Sequence, residues 1–246
     1  MSFKICGRSL GDESPCYITF EAGPTHSGFE SAKELVELAA KSGADAIKFQ
    51  ILDPDRLIAD RSQLFSYEVL LDRETSETVT VSEPLYDILK RRSMSRAEWT
   101  QIRELARVHN LAFFSTVSFP EELQFLQEIE CDSVKIASAD VNHLTLIRLA
   151  SETGMCIQLD TGSSSLAEIE RAVDVILKTG NEKIVIHQCP SGYPARISSI
   201  HLNMIKTLKA MFPFPVAFSD HTPGWEMDIA ALAIGVNLLE KTITKD

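Results

Sequence analysis

No apolar run in this chain approaches the roughly 20 residues that a membrane-crossing helix needs, which excludes a helical span. The stretch from Met1 to Cys16 mixes charge with glycine and lacks the apolar centre of a secretory signal peptide. Cysteine is sparse and odd in number: Cys6, Cys16, Cys131, Cys156 and Cys189 show no CxxC spacing. That pattern gives no disulfide framework and points to reduced thiols in a cytoplasmic protein. Basic charge is also in deficit, with 24 Lys and Arg against 35 Asp and Glu, a net charge of -11. Such a field disfavours a nucleic-acid partner. Any anionic substrate must be held by local lysines and backbone amides against it. Low-complexity segments are missing, and so is any repeat longer than one strand–helix unit.

What the chain has instead is that unit, over and over. Each begins with a β-branched or aromatic run, ends in a polar residue and continues at helical spacing. The runs predict strands over 16–22, 45–50, 111–117, 133–138, 156–161, 183–189, 215–220 and 238–243. Between them lie helical patterns such as Ala32-Leu35-Val36-Leu38-Ala39, stopped at Ser42-Gly43, and Leu166-Ile169-Ala172-Val173-Ile176, started by Ser163-Ser164-Ser165. Thr222-Pro223-Gly224 separates the seventh strand from a helix carrying Ile229, Leu232 and Ala233. Strict alternation argues for a parallel sheet covered by helices. A doubly wound open sheet is the alternative, but eight units in 246 residues favour closure into a single (β/α)8 TIM barrel domain.

Two irregularities break the rhythm. Residues 51–94 form a long insertion after the second strand, highly charged and containing a hairpin-like Thr78-Val79-Thr80-Val81 run; loops of that length are usually functional lids or disordered segments. The chain also reaches Asp246 just after the eighth strand, with no eighth helix following. The outer face of Leu238 to Lys241 is therefore expected to be left for a neighbouring copy to cover, in a homodimer or larger assembly.

Polar residues at strand C-termini are where such a barrel builds its site. In Asp45 to Gln50, apolar Ile47 and Phe49 share one face, which sends Lys48 and Gln50 to the other. A lysine inside a barrel must meet an anion or lose its charge. Lys135 poses the same question on the fourth strand, and with Ser115, Thr116 and Ser138 nearby the two lysines make a phosphate or carboxylate cradle. A structural ion pair accounts for either lysine equally well in kind. Glu21, Asp140, Asp160, Asp220 and Glu240 place carboxylates around the same mouth, able to bind a cation, orient sugar hydroxyls or exchange protons. His26, His187 and His221 fall nearby, and two histidines on strands six and seven can together hold a divalent metal.

Taken in order, these segments resemble the N-acetylneuraminate (sialic acid) synthase family. The resemblance rests on Phe20-Glu21-Ala22-Gly23 with His26 and Gly28, Gly43 to Gln50, Leu85 to Lys90 and Phe114-Ser115-Thr116. It continues through Lys135 to Ser138, Asp160-Thr161-Gly162, Cys189 to Pro194, Ser219 to Thr222 and Glu240-Lys241. It implies a (β/α)8 enzyme that condenses phosphoenolpyruvate with an N-acetylated amino sugar or aldose, aided by Mn²⁺ or Mg²⁺. It further implies catalytic roles for Glu21, Asp140 and His221, and substrate contacts at Lys48, Gln50, Ser115, Thr116, Lys135, Ser138, Asp160 and Tyr193. His221 matches one metal ligand, and Gln188 stands where the family has the other, with Glu21 or Asp220 as oxygen donors to complete the set. The chain departs from the pattern at Gln188, at Asp160 in place of a phosphate-binding serine, at Thr25, and at Thr242-Ile243. It also lacks the family's C-terminal antifreeze-like domain, so it reads as a divergent branch. A related barrel lyase or aldolase and a non-catalytic sugar-phosphate-binding barrel remain as alternatives.

Overall fold

The computed structural model describes residues 1–72, 75, 77–192 and 194–244. Its centre is a closed parallel barrel of eight strands: β3 (Tyr17–Glu21), β4 (Ala46–Gln50), β7 (Ala112–Thr116), β8 (Ser133–Ile136), β9 (Cys156–Asp160), β10 (Ile184–Gln188), β11 (Val216–Asp220) and β12 (Leu238–Thr242). They pair in that order, and β12 returns to β3 with Leu238 beside Tyr17. Every strand lies inside its expected range.

Helices α1 (Phe29–Lys41), α4 (Arg96–Val108), α5 (Pro120–Glu128), α6 (Leu144–Glu152), α7 (Leu166–Lys178), α8 (Asn203–Met211) and α9 (Glu226–Ala233) surround the barrel. Their local causes are plain. Ser165 caps α7 through the Glu168 amide while Glu168 reaches back, and Ser95 with Glu98 does the same for α4. In α7, Ile169, Ala172, Val173 and Ile176 are all buried, one stripe at helical spacing. The stripes meet the outward strand residues Ile47, Phe49, Phe113, Ile157, Leu159, Ile186 and Phe218 in one cluster, which is the main core. Gly43, at φ 78°, ends α1 where a side chain would be strained.

The charged N-terminus holds an element that the sequence does not announce. β1 (Phe3–Ile5) and β2 (Arg8–Leu10) form an antiparallel hairpin, turning at Cys6-Gly7. Ile5 and Leu10 pack against Tyr17, Ala46, Ala112, Phe114, Cys156, Val185, Ala217 and Leu238. Those are inward residues of the barrel's lower layers, so the hairpin plugs the N-terminal end.

The insertion is ordered, as α2 (Pro54–Leu57), a hairpin of β5 (Leu64–Asp72) and β6 (Glu77–Pro84), and α3 (Leu85–Arg92). The Thr78–Val81 run pairs with Tyr67 to Leu70, as its alternation suggested.

One expectation needs correction. The outer face of β12 is not left bare: Leu239 is only 5% exposed and belongs to the main core, while Leu238 and Glu240 point inward. Lys241 is drawn to Asp220 and to Asp228 of α9. Helix α9 buries Asp228 and Ala231, whereas Ile229 and Leu232 face solvent. On the core side Asp228 pairs with Lys241 at 3.3 Å, and Met227, Ala231 and Ile234 pack against the core.

Candidate active site

Alternation along the strands sends Glu21, Lys48, Gln50, Thr116, Lys135, Asp160, Glu240 and Thr242 to a cavity of about 690 Å³ at the C-terminal mouth. His221, in the turn after β11, lines it too. The inserted arm forms the opposite wall with Phe65, Tyr67, Leu85, Ile88, Arg91 and Arg92. Glu21 is fixed by the Gly23 amide, which donates to its Oε1 at 2.6 Å. A Cβ at Gly23 would collide with that same carboxylate and with Gln50, so the turn after β3 requires glycine.

Both lysines are buried and paired. Lys48 Nζ donates to Glu240 Oε1 at 2.9 Å and is ion-paired with Glu21. Lys135 Nζ donates to the same Glu240 oxygen at 2.5 Å and to Ser219 Oγ at 2.8 Å, with Asp160 Oδ2 at 3.1 Å. The two ammoniums respond differently. Burial, with Lys135 as a neighbouring cation, outweighs the pull of Glu240 and brings Lys48 down to about 8. Burial opposes the charge on Lys135 as well, but Asp160 and Glu240 together overcome it and hold that ammonium above its ordinary range. Burial would raise Glu240, yet the two lysines keep it well below the usual carboxylate value. With both lysines charged, the floor carries three carboxylates against two cations.

Below Lys135 runs a chain of hydrogen bonds with one consistent direction. Ser133 Oγ donates to the Cys156 carbonyl at 2.8 Å and accepts from the Gln158 amide nitrogen at 2.9 Å. Gln158 Oε1 therefore faces His187 Nε2 at 2.8 Å, and this nitrogen must carry the proton. His187 Nδ1 is then bare and accepts from Ser219 Oγ at 2.9 Å. Burial, followed by Lys135, lowers His187 to about 3, so it is a neutral strut. Gln158 and Ser219 escaped the sequence reading as site residues because a short polar side chain within a buried strand resembles any other core polar group.

The other expected residues separate. Ser115 turns away from the cavity, its Oγ bonded to the Thr116 carbonyl, because Phe114 and Thr116 take the inward positions. Ser138 and Asp140 lie in the 3-10 turn that follows β8, outside the cavity lining, where burial raises the Asp140 carboxyl. Tyr193 lies outside the described residues. Gln188 is on the outer face of β10, where its amide nitrogen donates to the Ile200 carbonyl at 2.9 Å. Asp220 also faces outward, towards Lys241 and the Thr222 hydroxyl. His221 is thus the one expected metal donor of strands six and seven that lines the cavity. Among the described residues no group of three or more His, Cys, Asp or Glu side chains is arranged to hold a metal ion. These donors do not make a preformed metal centre.

A parallel eight-stranded barrel with its charged residues gathered at the strand C-termini, roofed by an ordered insertion, has the layout of a (β/α)8 enzyme. Sequence comparison narrows the class: the chain belongs to the NeuB family, whose match spans residues 35–246. It is 33% identical to an uncharacterized protein of Methanocaldococcus jannaschii, over 99% of this chain and 66% of that one. An N,N'-diacetyllegionaminic acid synthase of Campylobacter jejuni is 31% identical, over 93% of this chain and 67% of the synthase. The chain thus spans about two thirds of the length of these relatives. The N-acetylneuraminic acid synthetase of Leptospira borgpetersenii superposes with a TM-score of 0.86 at 28% identity, over 100% of this chain and 79% of the synthetase.

Proposed function

We propose that the chain condenses phosphoenolpyruvate with an N-acetylated amino sugar or aldose to form a nonulosonic acid. The observation that carries this reading is the pair Lys48 and Lys135, both buried and both paired with the same oxygen of Glu240 at the floor of a mouth cavity. In this reaction carbon 3 of phosphoenolpyruvate bonds to the aldehyde carbon, water adds at carbon 2, and phosphate leaves. Negative charge develops on the aldehyde oxygen, and fixed cations in a water-poor cavity stabilise it. Lys135, locked by three partners, supplies a permanent charge. Lys48, near 8, is the group suited to give and regain a proton at neutral pH. Glu21 and His221 face the same space for orientation and proton exchange.

Asp160 does not favour the rival lyase reading. Its carboxylate is turned onto Lys135, which offsets the repulsion that an aspartate would otherwise exert on phosphate. The divalent ion belongs to this proposal in a weak form. His221, the one expected donor of strands six and seven on the cavity, would hold such an ion with Glu21, and the ion would supply Lewis-acid polarisation of the aldehyde. Stoichiometric zinc retained through purification would contradict this. The function itself is tested by assaying phosphate release from phosphoenolpyruvate with a panel of aldoses and N-acetylated hexosamines. Release that requires an acceptor supports it; no release with any acceptor contradicts it.

A further inference from the structure

The floor and the arm of the cavity differ in charge balance. On the floor each ammonium already has two carboxylates: Glu21 and Glu240 on Lys48, Asp160 and Glu240 on Lys135. With three carboxylates sharing the two ammoniums, the floor lysines bind a multiply charged anion fully only with help from further cations.

The arm brings two more cations from the last turn of α3, and they are not equivalent. Arg91 donates to both oxygens of Glu83, each at 2.7 Å, and this pairing draws Glu83 down to about 2. The charge of that guanidinium is compensated by Glu83. Arg92 lines the cavity half-buried, with no carboxylate in ion-pairing distance among the described residues. Burial, then the charge of Arg91, lowers its pKa. A helix C-terminus favours cations in general, but exposed Lys90 and Arg91 already meet that need. A partly desolvated guanidinium without a counter-ion is unfavourable until an anion reaches it.

We propose that Arg92 is the residue that grips the phosphate group of the anionic substrate, from the arm side of the cavity. The planar guanidinium fork matches phosphate oxygens in a way that the point charges of the floor lysines do not. The arm is thereby part of the binding site and not merely its cover. This assignment rests on the synthase reading for the identity of the phosphate compound.

The test compares Arg92→Gln, Arg92→Lys and Arg91→Gln with the unaltered protein, titrating phosphoenolpyruvate and inorganic phosphate by calorimetry alongside steady-state kinetics and thermal melts. Arg92→Gln should weaken phosphoenolpyruvate binding by at least about tenfold and raise its KM, given the usual strength of charge-assisted bonds. The KM of the sugar and the melting temperature should stay unchanged, and Arg92→Lys should recover part of the affinity. Arg91→Gln should lower the melting temperature by releasing Glu83. Unaltered phosphoenolpyruvate affinity in Arg92→Gln overturns the assignment. If the unaltered protein neither binds nor consumes phosphoenolpyruvate, the synthase reading fails on its own. Inorganic phosphate then decides Arg92: binding lost in Arg92→Gln upholds it, and binding to both proteins alike, or to neither, overturns it.

Discussion

Lys135 shows how one side chain joins stability to function. Its ammonium compensates Asp160 and Glu240, and its hydroxyl partner Ser219 continues into the neutral His187 and Gln158. Replacing it by methionine leaves buried Asp160 without its cation and Glu240 with Lys48 alone, a change that typically costs about 3–5 kcal/mol. Denaturant titration of Lys135→Met should show a loss of that order, and an unchanged midpoint would mean that the network is not coupled to folding. His187 adds a pH dependence of definite sign. Its folded value, about 3, lies below its ordinary 6.5, so the unfolded chain binds more protons between those values. Stability from this group is complete above pH 6.5 and falls as pH drops towards 3. Urea midpoints at pH 7 and pH 4.5 measure this, and replacing His187 by glutamine should flatten the difference. The inward lysines were legible in the sequence because Ile47, Phe49, Val134 and Ile136 mark the opposite face. Ser115 was not, since Phe113 and Phe114 are both buried, one on each face, and a strand covered on both sides gives no alternation to read.

Among the elements, the barrel strands followed from their β-branched runs and polar ends, and the helices from their stripes and caps. The arm hairpin was half visible, through Thr78 to Val81 alone. The N-terminal plug was invisible because β1 and β2 each have three residues and only Ile5 and Leu10 are buried, with Phe3 partly buried beside them. Helix α9 was placed by its apolar residues, but its core-facing side, with Asp228 beside Lys241, was not legible from them. The plug makes a clean prediction. Leu10 is fully buried at the end of the barrel opposite the cavity. Leu10→Ala should destabilise by about 2–5 kcal/mol, the usual range for such a cavity, while leaving the substrate KM values alone. A changed KM would show that the plug and the mouth are coupled.

At the scale of the molecule, a net charge of -11 surrounds a cavity proposed to take an anion, so the local cations must work against the field. Raising ionic strength should therefore help encounter with phosphoenolpyruvate more than it harms the enclosed contacts. Trp225, Ile229 and Leu232 on and beside α9 are 69%, 52% and 39% exposed, an apolar surface of the kind that copies of a chain use to associate. A homodimer is the expected outcome, and a monomer in light scattering at tens of micromolar would count against it. The central claim, that Lys48 and Lys135 make the mouth an anion site for phosphoenolpyruvate, is most directly tested by calorimetric titration of the protein with that compound at pH 7 and pH 9. Lys48 loses its proton near pH 8, so the account predicts saturable one-to-one binding at pH 7 that weakens at pH 9, with the pH effect abolished in Lys48→Gln. Absence of binding at both pH values, or equal binding by the unaltered protein and Lys48→Gln throughout, would contradict it.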